Sequence, residues 1–202
     1  MRILATEWLD SLPASDPRAE HARRDLRRVN TLMGNARHIA AALRPHWREG
    51  MRIADLGAGD GSLMLAVQQR LPGEVNAIPV DKADGIDVLD FLRKAGPQLD
   101  AIVCNLFLHH LDADLLSDVL ALAAERAPLF VACEPRRARI ALQASRMLWV
   151  LGCNEVTRHD AVVSVRAGFT GKELSAAWPP GDWELEERVA WPFTHLFVAR
   201  ES

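Results

Sequence analysis

The chain has 202 residues, a formal net charge of −3 and an isoelectric point near 6.2. This length is sufficient for one substantial hydrophobic core and short for two enzyme domains, and the slightly acidic balance argues against a general polyanion-binding protein. The widely spaced Cys104, Cys133 and Cys153 indicate neither a disulfide framework nor a zinc site. With no recognisable signal peptide and no apolar run of transmembrane length, we expect a cytoplasmic protein without a membrane partner.

The first 50 residues predict a helical arm. Pro17 can open a helix, and apolar residues recur at helical spacing as far as Met33. Gly34 then predicts a stop or a kink, and a second helical segment runs from about Asn35 to Leu43. The face of the first helix opposite its apolar residues carries arginines, and it either faces solvent or binds an acidic ligand or partner. Its arginines are Arg23, Arg24, Arg27 and Arg28.

From residue 51 onward, predicted strands and helices alternate. The predicted strands are 51–56, 74–81, 99–106 and 128–135, and the predicted helices are 62–71 and 115–127. Such alternation is typical of a doubly wound, Rossmann-like α/β fold with a mostly parallel sheet. Two further strands, 183–187 and 195–199, predict an antiparallel pair at the C-terminal end. We expect residues 51–202 to form the ligand-binding catalytic domain, with the arm as a cap within a single structural domain.

The connection after the second predicted strand is unusually short. Only Lys82–Ile86 separate Asp81 from Asp87, whereas a parallel crossover needs about a dozen residues or more. We therefore expect the usual helix between the second and third strands to be missing or reduced to a loop. The third strand would then be vestigial and that edge of the sheet short.

A glycine-rich turn follows the first predicted strand. Gly57 and Gly59 can adopt positive φ and admit a ligand close to the backbone, while Gly61 opens the next helix with little bulk. A dinucleotide loop has glycine where Ser62 stands, and Asp55 and Asp60 would repel a pyrophosphate. The turn suits instead a nucleoside with cationic groups, such as the ammonium and sulfonium of S-adenosylmethionine. A different nucleotide site or a plain tight turn are the alternatives.

Acidic residues also end the next segments. Ligands of open α/β sheets bind beyond the carboxyl ends of the strands, where Asp81 can accept both ribose hydroxyl protons or act as a helix cap. Asp87 can accept from an adenine amino group while Val88 covers the ring, although Asp87 and Asp90 equally resemble turn and cap residues. Together with the glycine turn, these positions predict a nucleoside pocket.

A histidine pair follows the central predicted strand, in the string 105–111. Histidine titrates near neutrality and is a natural proton acceptor for a phenol or other hydroxyl. His109 and His110 point in different directions if a helix begins here, so we expect at most one to face a substrate, and either can be a cap. The string lacks the Asn/Asp-Pro-Pro-aromatic pattern, which counts against methylation of a nucleobase amino group.

Together, 54–61, Val80–Asp81, Asp87–Val88 and 105–111 resemble the four cofactor motifs of the class I S-adenosylmethionine-dependent methyltransferases. The resemblance implies the Rossmann-like methyltransferase fold and S-adenosylmethionine as the cofactor. The cofactor-binding residues that it implies are Asp55, Gly57, Ala58, Gly59, Gly61, Asp81, Lys82, Asp87, Val88, Asn105 and Leu106.

The Leu-His-His-Leu string is similar to the small-molecule branch that includes the ubiquinone and menaquinone methyltransferases. Segments 25–30, 132–137 and 151–169 resemble a narrower bacterial group, whose members often accompany type III polyketide synthases that make phenolic lipids. This resemblance implies a small aromatic or polyketide-like, lipophilic acceptor, methylated at oxygen rather than at carbon. The short 82–86 segment departs from the pattern of that group.

The segment from Ala138 to Arg166 is the predicted acceptor side. It carries a helical stripe that either packs in the core or contacts an apolar acceptor. The stripe comprises Ala141, Leu142, Ser145, Leu148 and Trp149. After a break at Gly152, His159 and Asp160 can form a base with its orienting partner, or belong to a surface turn with a helix cap. His110 and His159 are the two candidate bases, and we expect no metal ion.

Three other classes of protein compete with this interpretation. A regulatory protein can keep the cofactor fold without catalysis, and a methyltransferase for RNA or protein can bind through the arginine-bearing helix. An RNA methyltransferase would have nucleic acid as its partner, instead of the small molecule that we expect. A nicotinamide-dependent oxidoreductase is disfavoured by Asp55 and Ser62.

Overall fold

A computed structural model of the protein describes residues 1–13, 15–94, 96 and 98–202. The α-helices are α1 (Trp8–Ser11), α2 (Pro17–Met33), α3 (Asn35–Leu43), α4 (Ser62–Gln68), α5 (Val88–Arg93), α6 (Ala113–Arg126), α7 (Arg139–Arg146), α8 (Glu155–Ala167) and α9 (Glu173–Ala177). The strands are β1 (Arg52–Leu56), β2 (Asn76–Val80), β3 (Ala101–Asn105), β4 (Leu129–Pro135), β5 (Trp183–Ala190) and β6 (Thr194–Glu201). Short 3₁₀ turns span Arg44–His46, Lys82–Asp84, Leu108–His110 and Leu148–Leu151.

The six strands form one sheet in the order β2-β1-β3-β4-β6-β5. Strands β2, β1, β3 and β4 are parallel, whereas β6 lies antiparallel to β4, and β5 antiparallel to β6. The predicted doubly wound fold with its C-terminal antiparallel pair is therefore confirmed. In the described part of the chain, no helix is both long and apolar enough to cross a bilayer.

The core consists of two apolar layers, one on each face of the sheet. Alternation along β1 sends Ala54 and Leu56 to the face covered by α5, α6 and α9, and Ile53 to the face covered by α3 and α4. The same alternation continues through β3, β4 and β6. Helix α6 begins two residues before the predicted start because the Asp112 carboxylate caps it, accepting from the Leu115 N–H.

The edge of the sheet at β2 is short, as predicted. The described residues between β2 and β3 contain a 3₁₀ turn and the short helix α5, and no strand. Asp87 therefore begins a helix rather than following a strand, and its carboxylate accepts from the Asp90 N–H at 3.0 Å. On this side the sheet ends at β2.

The helical arm has the two predicted helices, divided at Gly34. Helix α2 begins at Pro17, and Gly34 ends it in the left-handed conformation with φ 71°. Helix α3 does not stand apart from the domain, because Ile39 and Leu43 are fully buried against the sheet. The boundary drawn at residue 50 between arm and catalytic domain stays a prediction.

A chain of buried polar contacts joins the arm to the sheet. The Thr194 hydroxyl donates to Asn35 at 2.6 Å, and the Asn35 amide donates to Asn105 at 2.7 Å. The Asn105 amide in turn lies 3.5 Å from the Asn30 oxygen. Because an unpaired buried amide costs about 1–3 kcal/mol, these contacts hold α2 and α3 in one orientation over the end of β3.

Candidate active site

The glycine turn after β1 is fixed by neighbouring backbone. The Gly57 N–H donates to the Val80 carbonyl at 2.9 Å, and Gly57, Gly59 and Gly61 all have positive φ, at 75°, 56° and 72°. A Cβ on Gly57 would lie 2.7 Å from the Phe107 ring, so this position lacks space for any side chain. Gly57 is thus required by both its conformation and its close contact.

Asp81 links the end of β2 to this turn. Its Oδ2 accepts from the Gly59 N–H at 2.8 Å, and its Oδ1 accepts from the Ala83 N–H at 2.8 Å, which caps the 3₁₀ turn. The structure therefore places Asp81 beside the predicted glycine turn, while it also has the alternative cap role. Lys82 and Asp87 lie nearby in sequence with exposed side chains, and Val88 is half-buried.

Asp55 is a buried carboxylate with unsatisfied oxygens. It is 1% exposed, and neither oxygen has a hydrogen-bond partner among the residues that the structure describes. Burial, with a smaller contribution from the charge of Asp81, raises the Asp55 pKa to about 7. Together with Gly61 and Pro79, Asp55 lines an open cavity of about 330 Å³. A buried carboxylate of this kind is suited to binding a cationic ligand group.

Asp60, the second acidic residue of the turn, is neutralised from the arm. Its carboxylate forms an ion pair with the Arg27 guanidinium at 2.6 Å. Burial by itself would raise the Asp60 pKa, but the hydrogen bonds with Ser62 and then the contact with Arg27 outweigh it and lower the pKa. The repulsion of phosphate that the sequence predicts for Asp60 is therefore reduced. On α2, Arg28 donates to the Leu151 carbonyl at 3.1 Å and lies 3.5 Å from Asp25.

Glu134 organises the turn that follows β3. It is fully buried at the end of β4, where its Oε1 accepts from the Phe107 and Leu108 N–H groups at 3.0 and 2.9 Å. Its Oε2 lies 2.8 Å from Nδ1 of His109. Leu106, next to Asn105, has a positive φ of 53°, which is uncommon for a residue with a side chain. The strained turn is held by this carboxylate.

His109 lies between two carboxylates. Nδ1 contacts Glu134, and Nε2 lies 3.5 Å from Oε1 of Glu7 in the arm. Burial by itself would lower the His109 pKa, but the contacts with Glu134 and Glu7 outweigh it and raise the pKa to about 9. His109 is therefore an imidazolium at neutral pH and is unsuited to accept a proton.

His110 has the opposite electrostatic environment. Desolvation and the positive charge of His109 lower its pKa, so its imidazole is neutral near pH 7. Its exposed ring lines a cavity of about 380 Å³ under the N-terminal segment. The cavity is lined by Leu4, Ala5, Thr6, Glu7, Asp10, His109, His110, Val163 and Ala167. The ligand atoms of Glu7, His109 and His110 lie within 4.8 Å of one another, so the same residues can also hold a metal ion.

His159 and Asp160 contact each other as predicted, but on helix α8 rather than in a turn. Nδ1 of His159 lies 2.8 Å from Oδ1 of Asp160, and the His159 ring stacks on Trp8 at 3.9 Å. Asp160 also accepts from the N–H groups of Trp8 and Leu9 at 2.8 and 2.9 Å. The pair therefore anchors α1, and His159 is not among the residues that line the cavity.

Three residues of this region were not among the predicted site residues. Glu134 has a signal in the sequence, since it is a charged residue at the end of the apolar run 129–133. Glu7 and Asp10 have none, because only the packing of α1 on α8 brings them to the histidine pair.

No protein-family model and no curated protein sequence matches the chain. Among solved structures, a plantazolicin methyltransferase in complex with SAH is similar with a TM-score of 0.64 and 11% identity, over 93% of this chain and 92% of that one. Mitomycin 7-O-methyltransferase is similar with a TM-score of 0.60 and 16% identity, over 98% of this chain and 61% of that one. Human N-acetylserotonin methyltransferase in complex with SAM is similar with a TM-score of 0.59 and 12% identity, over 96% of this chain and 61% of that one.

At these identities the comparisons establish the fold, which is the Rossmann-like fold of methyltransferases. The chain spans about three fifths of the length of two of these proteins and nearly the whole of the third.

Replacement of Gly57 tests the close contact with Phe107. Both Gly57→Ala and Gly59→Ala place a side chain at positive φ, but only the first also meets a neighbouring ring. We expect Gly57→Ala to lower the free energy of unfolding by about 1–3 kcal/mol more than Gly59→Ala, measured by denaturant titration. Equal losses would contradict the packing of Phe107 on Gly57.

The ionisation of Asp55 predicts a distinct pH dependence of stability. Because its folded pKa of about 7 lies above the ordinary aspartate value of 3.8, Asp55 contributes stability at low pH that is lost as the pH rises toward 7. Asp55→Asn removes this dependence, so the variant gains about 2–4 kcal/mol relative to the native chain between pH 4 and pH 8. If chemical denaturation gave the native chain and the Asp55→Asn variant the same dependence of stability on pH, the raised pKa would be refuted.

Proposed function

We propose that the protein is an S-adenosylmethionine-dependent methyltransferase acting on a small aromatic or polyketide-like acceptor, with transfer to oxygen. The observation that carries this proposal is the pair of carboxylates, Asp55 and Asp81, on the glycine turn. A buried carboxylate with no hydrogen-bond partner among the described residues, and a second carboxylate bonded to the turn, favour a nucleoside ligand with a cationic group. Known structures of the same fold were crystallised with SAM or SAH.

The two carboxylates have separate roles in this proposal. Asp55 would hold the ammonium of the methionine moiety, directly or through water. Asp81 would accept from the ribose hydroxyls, because a carboxylate has about four lone-pair sites and only two are taken by the Gly59 and Ala83 N–H groups. Asp87 and Val88 lie on the adenine side, at the start of α5.

The cavity beside His110 is the proposed acceptor site. When bound, S-adenosylmethionine supplies an electrophilic methyl group. The chain has to orient an acceptor hydroxyl in line with it and exclude water. S-adenosylmethionine would supply the methyl group to the acceptor oxygen with loss of its carbon–sulfur bond, and the neutral imidazole of His110 would take the hydroxyl proton. His110 is favoured over His159 because it lines the cavity, whereas His159 stacks on Trp8.

The lining of the cavity mixes apolar and titratable side chains, which supports an acceptor that has both an apolar part and a hydroxyl group. Leu4, Ala5, Val163 and Ala167 supply apolar contact area beside Glu7, Asp10 and the two histidines. Helix α2 does not favour the RNA alternative, since its Arg27 and Arg28 make contacts within the chain. An inactive cofactor-binding protein remains distinguishable by assay.

Replacement of Asp81 tests the cofactor site. We expect Asp81→Ala to weaken binding of S-adenosylhomocysteine by about 1–3 kcal/mol, the cost of leaving paired hydroxyls unsatisfied, as measured by calorimetry. Asp84→Ala removes an exposed carboxylate from the same 3₁₀ turn and is the matched control. Unchanged affinity of the Asp81 variant would disprove the assignment, and stabilisation by NADH rather than by S-adenosylhomocysteine in a thermal shift assay would favour an oxidoreductase.

Replacement of His110 tests the proposed base. With a 5-alkylresorcinol as acceptor, we expect His110→Asn to lower kcat by about 10²–10⁴-fold while the affinity for S-adenosylmethionine is kept. In the native enzyme, kcat should fall at low pH as His110 is protonated, and the lowered pKa places this fall below pH 6.5. His46→Asn replaces an exposed histidine of the 3₁₀ turn Arg44–His46, and this control variant should keep its activity.

Chelation separates this mechanism from a metal site in the same cavity. Activity that survives EDTA fits a base, whereas its loss with recovery on added zinc would show that Glu7, His109 and His110 bind a metal. Binding of S-adenosylmethionine with no methylation of any phenol or other hydroxyl compound would instead support the regulatory alternative.

A further inference from the structure

A run of apolar side chains projects from the protein between α7 and α8. Trp149 is 61% exposed, and Met147, Val150 and Leu151 beside it are exposed as well. The backbone there is a 3₁₀ turn, closed by Gly152 at φ 74°. Ser145 and Cys153, which flank this segment in the chain, are buried. Consecutive exposed apolar residues that include a tryptophan are unusual on a protein surface that faces only water.

The apolar segment is surrounded by arginines. Arg139 and Arg146 are exposed on α7, which leads into it. Arg28 donates to the carbonyl of Leu151 at 3.1 Å, so the basic face of α2 borders the segment on its other side. Between residues 138 and 158 the chain has Arg139, Arg146 and Arg158 against Glu155 alone. This local positive charge contrasts with the net charge of −3 for the whole chain.

This combination of groups selects one kind of partner. Tryptophan and aliphatic side chains insert into the headgroup region of a bilayer, and arginines around them attract anionic phospholipids. A second copy of the chain fits less well, because two such surfaces facing each other would bring their arginines together. The charge therefore favours a negatively charged, apolar partner surface.

We propose that residues 147–151, with Arg28, Arg139 and Arg146, bind the anionic face of a lipid membrane. We call these residues the docking surface. It revises the expectation, drawn from the sequence, that the protein has no membrane partner, since a protein without a spanning helix can still bind at the bilayer surface. The proposal does not depend on methyltransferase activity.

Sedimentation of the full chain with vesicles tests the docking surface. We expect binding to vesicles of phosphatidylcholine with phosphatidylglycerol, weak binding to phosphatidylcholine alone, and a steep loss of binding as salt is raised. Trp149→Ser should abolish most of the binding. Trp191→Ser removes a tryptophan that is 78% exposed in the β5–β6 turn and should bind as the native chain does.

Two further variants separate the contributions of charge and insertion. Arg146→Ala should weaken binding roughly fivefold, whereas Arg93→Ala, an exposed arginine on α5, should not. Acyl-brominated lipid should quench part of the tryptophan fluorescence of the native chain, and Trp149→Phe should bind normally but lose that part of the quenching.

Absence of binding to the anionic vesicles at low salt would overturn the proposal. Equal loss of binding in the Trp149→Ser and Trp191→Ser variants would overturn it too. A native dimer that Trp149→Ser converts to a monomer, without vesicle binding, would assign the surface to a second copy instead.

Discussion

The hydrogen bonds of the Glu134 carboxylate are the interaction on which the candidate site depends. A charge buried at the end of β4 is tolerated only because backbone N–H groups of residues 107–109 and the imidazolium of His109 surround it. The same bonds set the path of the chain after β3. This path places Phe107 against Gly57 and directs His109 toward the arm. One carboxylate thereby relates the glycine turn to the cavity beside His110.

The helical arm is a part of the site because polar contacts fix it at several points. Asp160 receives the N–H groups of α1, Asn35 connects α3 with Asn105, and Arg27 of α2 pairs with Asp60. Helix α1 has only four residues and would not form alone. Its position therefore follows from the Asp160 carboxylate and the stacking of Trp8 on His159. Through these contacts Glu7 and Asp10 reach the histidine pair.

Local pattern was sufficient to predict the fold and the positions of the glycine turn, Asp55 and Asp81. Apolar runs of strand length alternated with helical periodicity, and both signals depend on residues close in sequence. That the described residues between β2 and β3 contain no strand followed from chain length alone. The roles of the histidines did not follow, because Glu134 lies 25 residues beyond His109 and Glu7 lies in the arm. Nor could sequence show that Arg27 pairs with Asp60, or that Asp55 is buried with no hydrogen-bond partner in the described part of the chain.

The two adjacent histidines have pKa values shifted in opposite directions, and one shift contributes to the other. Two carboxylates stabilise His109 as a cation, and its positive charge disfavours a second cation on His110, whose ring centroid lies 4.2 Å away. Opposed environments of neighbouring titratable groups are a common way for an active site to divide acid and base roles. Desolvation and the positive charge of His109 together lower the His110 pKa, and they outweigh the carboxylates of Glu7, Asp10 and Glu134, which act in the opposite direction.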